Sequence, residues 1–303
     1  MTGAKGKAAR SGAAVSAAPA STRDYILTLS CPDTLGIVHA VAAFLHGEDC
    51  NILDSAQFGD PDTERFFMRV HFASHNGATL PGLKKAFADV AARFRMDWQM
   101  HDAAEKPRVI ILVSKFDHCL HDLLYRYWIG ELHCEITSVV SNHRDAYRLV
   151  AGYDIPFHHL PVTKTTKAAQ EKKIQKLIAE EKADLVVLAR YMQILSEKMC
   201  KALEGHAINI HHSFLPSFKG ATPYSQAHAR GVKLIGATAH FVTEHLDEGP
   251  IIEQDVTPVN HKFTSAEMVA AGRDVERLVL ARAVKLFLER RVLLNGNKTV
   301  VFR

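Results

Sequence analysis

The sequence predicts an α/β protein built in two units: a ferredoxin-like βαββαβ sandwich, then a Rossmann-like, mostly parallel sheet. Three observations carry this. Residues 22–102 alternate short β-rich runs with two amphipathic helical stretches. Residues 109–113 and 185–189 are unbroken apolar runs, the pattern of strands buried on both faces of a parallel sheet. Between the units, Ala103-Ala104-Glu105-Lys106-Pro107 is polar and ends on proline, as linkers do.

In the first unit, residues 25–29 read as a strand that Cys31-Pro32-Asp33 breaks. Thr34 then offers a cap to a helix whose Val38, Val41, Ala42 and Leu45 share one face. Strands follow at 51–53 and, after a turn at 59–61, at 66–72. A helix over 80–94 and a strand over 96–101 complete the βαββαβ order.

The second unit, residues 108–303, has further strands expected at 136–140, 207–210 and 235–242. A helix over 168–182 turns Ile174, Leu177 and Ile178 inward and its lysines outward. Thr264-x-x-Glu267 is a capping box opening a long helix on which Leu280, Val284, Phe287 and Leu288 share a face. Strands alternating with helices imply an open sheet, with ligands bound beyond the carboxyl ends of its strands.

Composition narrows the function classes. The net charge of +4 comes without a long Lys/Arg run or an aromatic–basic stripe, so no nucleic-acid partner is expected. No apolar stretch approaches spanning length, so no membrane is expected either. The five cysteines are Cys31, Cys50, Cys119, Cys134 and Cys200; an odd number without a CxxC pair suits a reducing cytoplasm. Residues 1–21 are rich in Ala, Ser, Gly and basic residues and read as a disordered tail; their lack of acids also imitates a transit peptide. Among eighteen histidines there is no HExxH, and the pairs His158-His159 and His211-His212 point apart on a strand, so no metal is expected.

The chemistry-bearing residues collect at two strand ends. In Ile208-Asn209-Ile210-His211-His212-Ser213, an apolar strand ends in polar side chains, and Asn209 and His211, two apart, face the same way. A strand end bonding only its own loop has the same appearance. The second strand runs from Gly236 to Val242 through His240, and its loop, Thr243-Glu244-His245-Leu246-Asp247-Glu248-Gly249-Pro250, carries three acids. By themselves these acids read equally as solvated loop charges.

Asn209-x-His211, then Ser213, Leu215-Pro216 and Gly220, then Asp247 36 positions after His211, resembles the signature of the tetrahydrofolate-dependent formyltransferase family. Residues 108–303 align with that family almost throughout. The resemblance implies that Asn209, His211 and Asp247 are catalytic. It implies a folate pocket walled by Arg190, Tyr191, Met192, Gln193, Ile194 and Leu195 on one side and by Thr243 and its loop on the other, with Gly220 and His240 nearby. In that chemistry an amide can donate to a tetrahedral oxyanion, and a histidine can exchange protons near neutral pH. An aspartate can stabilise imidazolium or orient water, and the sequence leaves both open.

The first unit resembles an ACT module, and an ACT module placed before such a domain is the arrangement of the formyltetrahydrofolate deformylases. The Gly220-Ala221-Thr222-Pro223-Tyr224 wording is similar to that subgroup too. Transferases that use a ribonucleotide carry a glycine-rich phosphate loop after the first strand. Here Ser114-Lys115-Phe116-Asp117-His118-Cys119-Leu120 has no glycine and adds an acid. The resemblance therefore implies hydrolysis of 10-formyltetrahydrofolate, feeding formate to purine and one-carbon metabolism, with no cofactor beyond the folate substrate. It also implies a homo-oligomer and an amino-acid effector, such as glycine or methionine, at Asp33, Leu35, Gly36 and Ile37. Two alternatives stand beside it: a formyltransferase with an amine acceptor, and a non-catalytic folate-binding sensor.

Overall fold

The computed structural model describes residues 23–215 and 223–303. The expected tail and Gly220 lie outside the described residues. The first unit comprises β1 (Arg23–Pro32), α1 (Ile37–Gly47), β2 (Cys50–Asp60), β3 (Arg65–Ser74), α2 (Leu80–Phe94) and β4 (Asp97–Asp102). Its sheet has the order β2-β3-β1-β4, antiparallel throughout, which is the ferredoxin-like arrangement.

Thr34 is not the cap of α1. Gly36 is, with φ near +92°, and the helix buries Ile37, Val41 and Leu45 while Val38 is 41% exposed. The left-handed step at Gly36 rotates the helix by starting it later than the Thr34 signal implies. The second helix begins where expected, because Thr79 Oγ1 accepts from Gly82 N and Pro81 fits its first turn.

The second unit continues with β5 (Arg108–Val113), α3 (His118–Trp128), β6 (Glu135–Ser141), α4 (Tyr147–Ala151), β7 (Phe157–His159), α5 (Lys167–Glu180) and β8 (Leu185–Leu188). Then come α6 (Glu197–Ala202), β9 (Ala207–His211), α7 (Pro223–Ala229), β10 (Leu234–Phe241), β11 (Ile251–Pro258), α8 (Ser265–Leu288), β12 (Val292–Asn295) and β13 (Lys298–Val301). The seven-stranded sheet runs β11-β10-β9-β8-β5-β6-β7; its five strands from β9 to β7 are parallel, and β10 alone runs against them, antiparallel to both β9 and β11.

Alternate residues of β5 explain the double burial. Val109, Ile111 and Val113 pack toward α3 and α8, whereas Ile110 and Leu112 pack with residues of α5 and α6. Burying each such side chain contributes about 1.5–3 kcal/mol before entropy is counted. The capping box forms as the sequence requires: Thr264 Oγ1 accepts from Glu267 N, and the Glu267 carboxylate accepts from Thr264 N at 2.7 Å.

The last residues return to the first unit. The β12–β13 hairpin packs Val300 and Phe302 on Phe67, and Asn295 Nδ2 donates to Asp60 Oδ2 at 2.6 Å. Arg69 of β3 donates to the Glu289 carbonyl at 3.1 Å.

Candidate active site

Strand pairing assembles the centre. In the antiparallel β9–β10 register, Asn209 sits opposite His240 and His211 opposite Thr238. Side chains directly opposite can touch, and Asn209 Nδ2 lies 3.2 Å from His240 Nε2. His240 Nδ1 lies 2.8 Å from the Phe241 carbonyl, which only accepts, so Nδ1 carries the proton and donates. In neutral His240, Nε2 is then an acceptor, and Asn209 must present its NH₂ side to it. Gly249 guards this arrangement: a Cβ there would run into the Phe241 carbonyl.

The loop after β10 brings Asp247 over the strand ends, with its backbone in the left-handed region at φ near +58°. Asp247 Oδ2 is 3.2 Å from His211 Nδ1, and Oδ1 is 3.8 Å from His240 Nε2. Burial pushes the Asp247 carboxyl up, but the neighbouring imidazoles, His211 first and then His240, outweigh this and hold it well below the usual carboxylate range. The carboxylate fixes the proton of His211 on Nδ1. Nε2 of His211 is buried and has no partner among the described residues.

A cavity of about 370 Å³ opens beside these atoms. Its walls include Arg190, Tyr191, Met192, Gln193, Ile194 and Leu195 on one side and Thr243 through Asp247 on the other, with Asn209, His211 and His240 between them. Every candidate folate-pocket residue among the described residues therefore borders one space. Two of them also serve elsewhere. Tyr191 is 5% exposed, packs in the α5–α6 core and accepts from Gln170 Nε2 at 2.7 Å. Arg190 sits at φ near +62°, and its Nε lies 3.4 Å from Glu276 Oε2, an ion pair without hydrogen-bond geometry.

Sequence reasoning missed several neighbours. Ser114, directly after β5, accepts from Met192 N at 2.9 Å and donates to Asn142 at 2.7 Å, bracing the 190–195 wall. His212 borders the same cavity; burial, Arg190 and His211 bring its pKa down to about 4, so it is neutral at pH 7. Glu276 of α8 is 1% exposed and accepts from His118 Nε2 at 2.8 Å and Tyr224 at 2.6 Å. Burial raises its carboxyl, yet His118, Arg190 and Tyr224 together hold it below its ordinary value. A polar residue closing a buried apolar run was the available signal for Ser114.

His118, Cys119 and Glu276 are close enough to suggest a metal, but the donor set does not suit one. Arg190 already faces the same carboxylate, and burial pushes the Cys119 thiol well above its usual range, away from the thiolate a metal needs. The proposed effector residues lie apart from this centre, in the β1–α1 turn. There Leu35 is 97% exposed, Ile37 is buried, and Asp33 N donates to the Glu64 carbonyl at 2.9 Å.

Comparison with known proteins follows the same division. The Formyl transferase family matches residues 107–284. A formyltetrahydrofolate deformylase of Corynebacterium sp. (strain P-1) is 51% identical over 280 residues, covering 92% of this chain and 98% of that relative. The crystal structure of a formyltetrahydrofolate deformylase from Burkholderia mallei superposes with a TM-score of 0.89 at 52% identity, over 93% of this chain and 100% of that one. The chain belongs to the formyltetrahydrofolate deformylase family. By contrast, glycinamide ribonucleotide transformylase 1 from Symbiobacterium toebii, at 29% identity and a TM-score of 0.61, covers 65% of this chain and 95% of that one. Likeness to the deformylases thus extends over both units, as likeness to that transformylase does not.

Proposed function

We propose that this chain hydrolyses 10-formyltetrahydrofolate to formate and tetrahydrofolate, with Asn209, His211 and Asp247 performing the reaction. The observation that carries this is the state of His211: the residue borders the cavity, Asp247 lies 3.2 Å from its Nδ1, and its buried Nε2 has no partner among the described residues. That is the geometry of a general base awaiting a proton. The cavity volume and its apolar lining, including Leu188, Leu195 and Val242, suit a flat ring system. His211 Nε2 takes a proton as the water oxygen bonds to the formyl carbon. Asn209, oriented by His240, turns its second N–H to the developing oxyanion. The C–N10 bond then breaks, and the proton on His211 passes to N10. These steps ask for nothing beyond the chain, the folate and one water.

The test is 10-formyltetrahydrofolate incubated with the protein and no amine. Formate and tetrahydrofolate are expected in equal amounts, at a rate that added glycinamide ribonucleotide does not change. Turnover that requires an added amine would show a transferase instead, and folate binding without turnover would show a sensor.

The unit 22–102 belongs to the same reading as a regulatory ACT module joined through 103–107 to the catalytic unit 108–303, working as a homo-oligomer in the cytoplasm. Exposed apolar Ile52, Leu53 and Phe58 on the edge strand β2 support self-association, and the free thiols of all five cysteines suit a reducing compartment. Glycine or methionine is expected to bind at Asp33, Leu35, Gly36 and Ile37. Calorimetry detecting heat with neither would reduce the module to an assembly device.

A further inference from the structure

In an open α/β sheet the ready-made ligand crevice lies where the strand order reverses, because the loops leaving the two strands there part in opposite directions. Here the reversal falls between β5 and β8: from β5 the chain steps outward to β6 and β7, then returns to β8 and β9. The folate cavity sits to one side of this point, against β8, β9 and β10, since its lining comes from Leu188–Leu195, Asn209–His212 and His240–Asp247. The crevice at the reversal itself holds the chain's own side chains.

Four elements contribute to that filling. Arg190 leaves β8 and faces Glu276 of α8 at 3.4 Å. His118, the first residue of α3, donates to the same carboxylate at 2.8 Å, and Tyr224 of α7 donates to it at 2.6 Å. The Tyr224 ring continues the plug to His212, with ring centres 6.2 Å apart, and the His212 ring lies 5.0 Å from that of His211. At the mouth, the guanidinium groups of Arg190 and Arg273 flank the Phe116 ring at 6.0 and 5.4 Å. A helix N-terminus attracts an anion; here the side chain at the start of α3 is already bonded to an internal one, the Glu276 carboxylate.

The seating of Tyr224 shows that this filling is specific. Its ring lies against Gly272, in the interior of α8, where a Cβ would overlap the ring. Glycine is among the poorest residues for a helix interior, so the helix carries an unfavourable residue at the one place where the ring needs room.

Resting on the hydrolysis proposed above, the geometry points to a plug: Tyr224, Glu276, His118, Arg190 and Phe116 fill the crevice through which an amine acceptor would approach His211, and so make water the only nucleophile admitted. Water and an amine do the same chemistry at the formyl carbon. With water, a C–O bond forms as the C–N10 bond breaks, giving formate. With an amine, a C–N bond forms instead, giving an N-formyl product, and in each case a proton from the nucleophile ends on N10. The plug selects by size, not by changing the reacting groups.

The probes are hydroxylamine and glycinamide, supplied with 10-formyltetrahydrofolate to the full chain, with a protein-free control for background transfer. Tetrahydrofolate release is followed together with the partition between formate and formylated amine. Wild type is expected to give formate alone above background. Tyr224→Ala, which empties the space beside His212, is expected to raise the partition toward formylated amine by roughly tenfold or more. Phe116→Ala, at a ring 44% exposed and so safe for folding, is expected to shift it in the same direction by loosening Arg190. Folded variants that release tetrahydrofolate with the wild-type partition overturn the plug and leave the hydrolysis standing. A wild type that formylates the amines as readily as it makes formate overturns it too. A wild type that releases no tetrahydrofolate under any of these conditions overturns the hydrolysis itself.

Discussion

His211→Ala is expected to lower turnover by about 10²- to 10⁴-fold, the range for losing a positioned general acid–base. His211, which borders the cavity, is the residue whose two ring nitrogens stand differently: Nδ1 meets Asp247 at 3.2 Å, and Nε2 is buried with no partner among the described residues. Alanine removes the proton acceptor and the later donor together, but leaves the apolar walls that hold the ring system. The loss should therefore fall on kcat, with KM nearly unchanged. Steady-state kinetics on a variant with wild-type circular dichroism checks this. Near-normal kcat in a folded variant removes His211 from the reaction.

Asp247→Asn is expected to cost roughly 10²- to 10⁴-fold, by analogy with carboxylates that fix a histidine tautomer elsewhere. An asparagine amide can donate to Nδ1, which would move the imidazole proton to Nε2 and leave the base unable to accept. The left-handed backbone at φ near +58° is a conformation asparagine adopts readily, so the loop should keep its path. The sign of the pH dependence follows from the carboxyl's depression. Its charge persists above the depressed value and is lost only as pH falls through it, so Asp247 does not set an activity limb near neutral pH. A variant that retains kcat and shows an unchanged pH profile would mean that His211 does not need Asp247.

The order of the first unit, the two-sided burial of the second sheet and the ends of α2 were legible because each rests on a local pattern. The helix Leu80–Phe94 carries its own cap and proline, and β5 declares itself as an apolar run. Asn209 and His211 were legible for the same reason, since a period of two puts them on one face. Asp247 was not legible in that way. A loop acid has no periodicity, and its approach to His211 depends on a turn after β10, so it was reached through the family resemblance. The pairing of His240 with Asn209 depends on an antiparallel register that no single strand reports. The Glu276 network joins residues from 118 to 276, too far apart in sequence for any local signal, and α3 was hidden by reading 114–120 only as a loop. The closing hairpin did carry a signal, Gly296-Asn297 between two short β-rich runs: Asn295 pairs with Lys298, and Gly296 takes the positive φ, near +60°, of a glycine-first two-residue turn.

The central claim is that water is the nucleophile at a formyl group held between Asn209, His211 and Asp247. Reaction of 10-formyltetrahydrofolate in ¹⁸O-labelled water, with no amine present, tests it most directly. One labelled oxygen per formate, released together with an equal amount of tetrahydrofolate, is the predicted result. Unlabelled formate, or no formate until an amine is added, would contradict it.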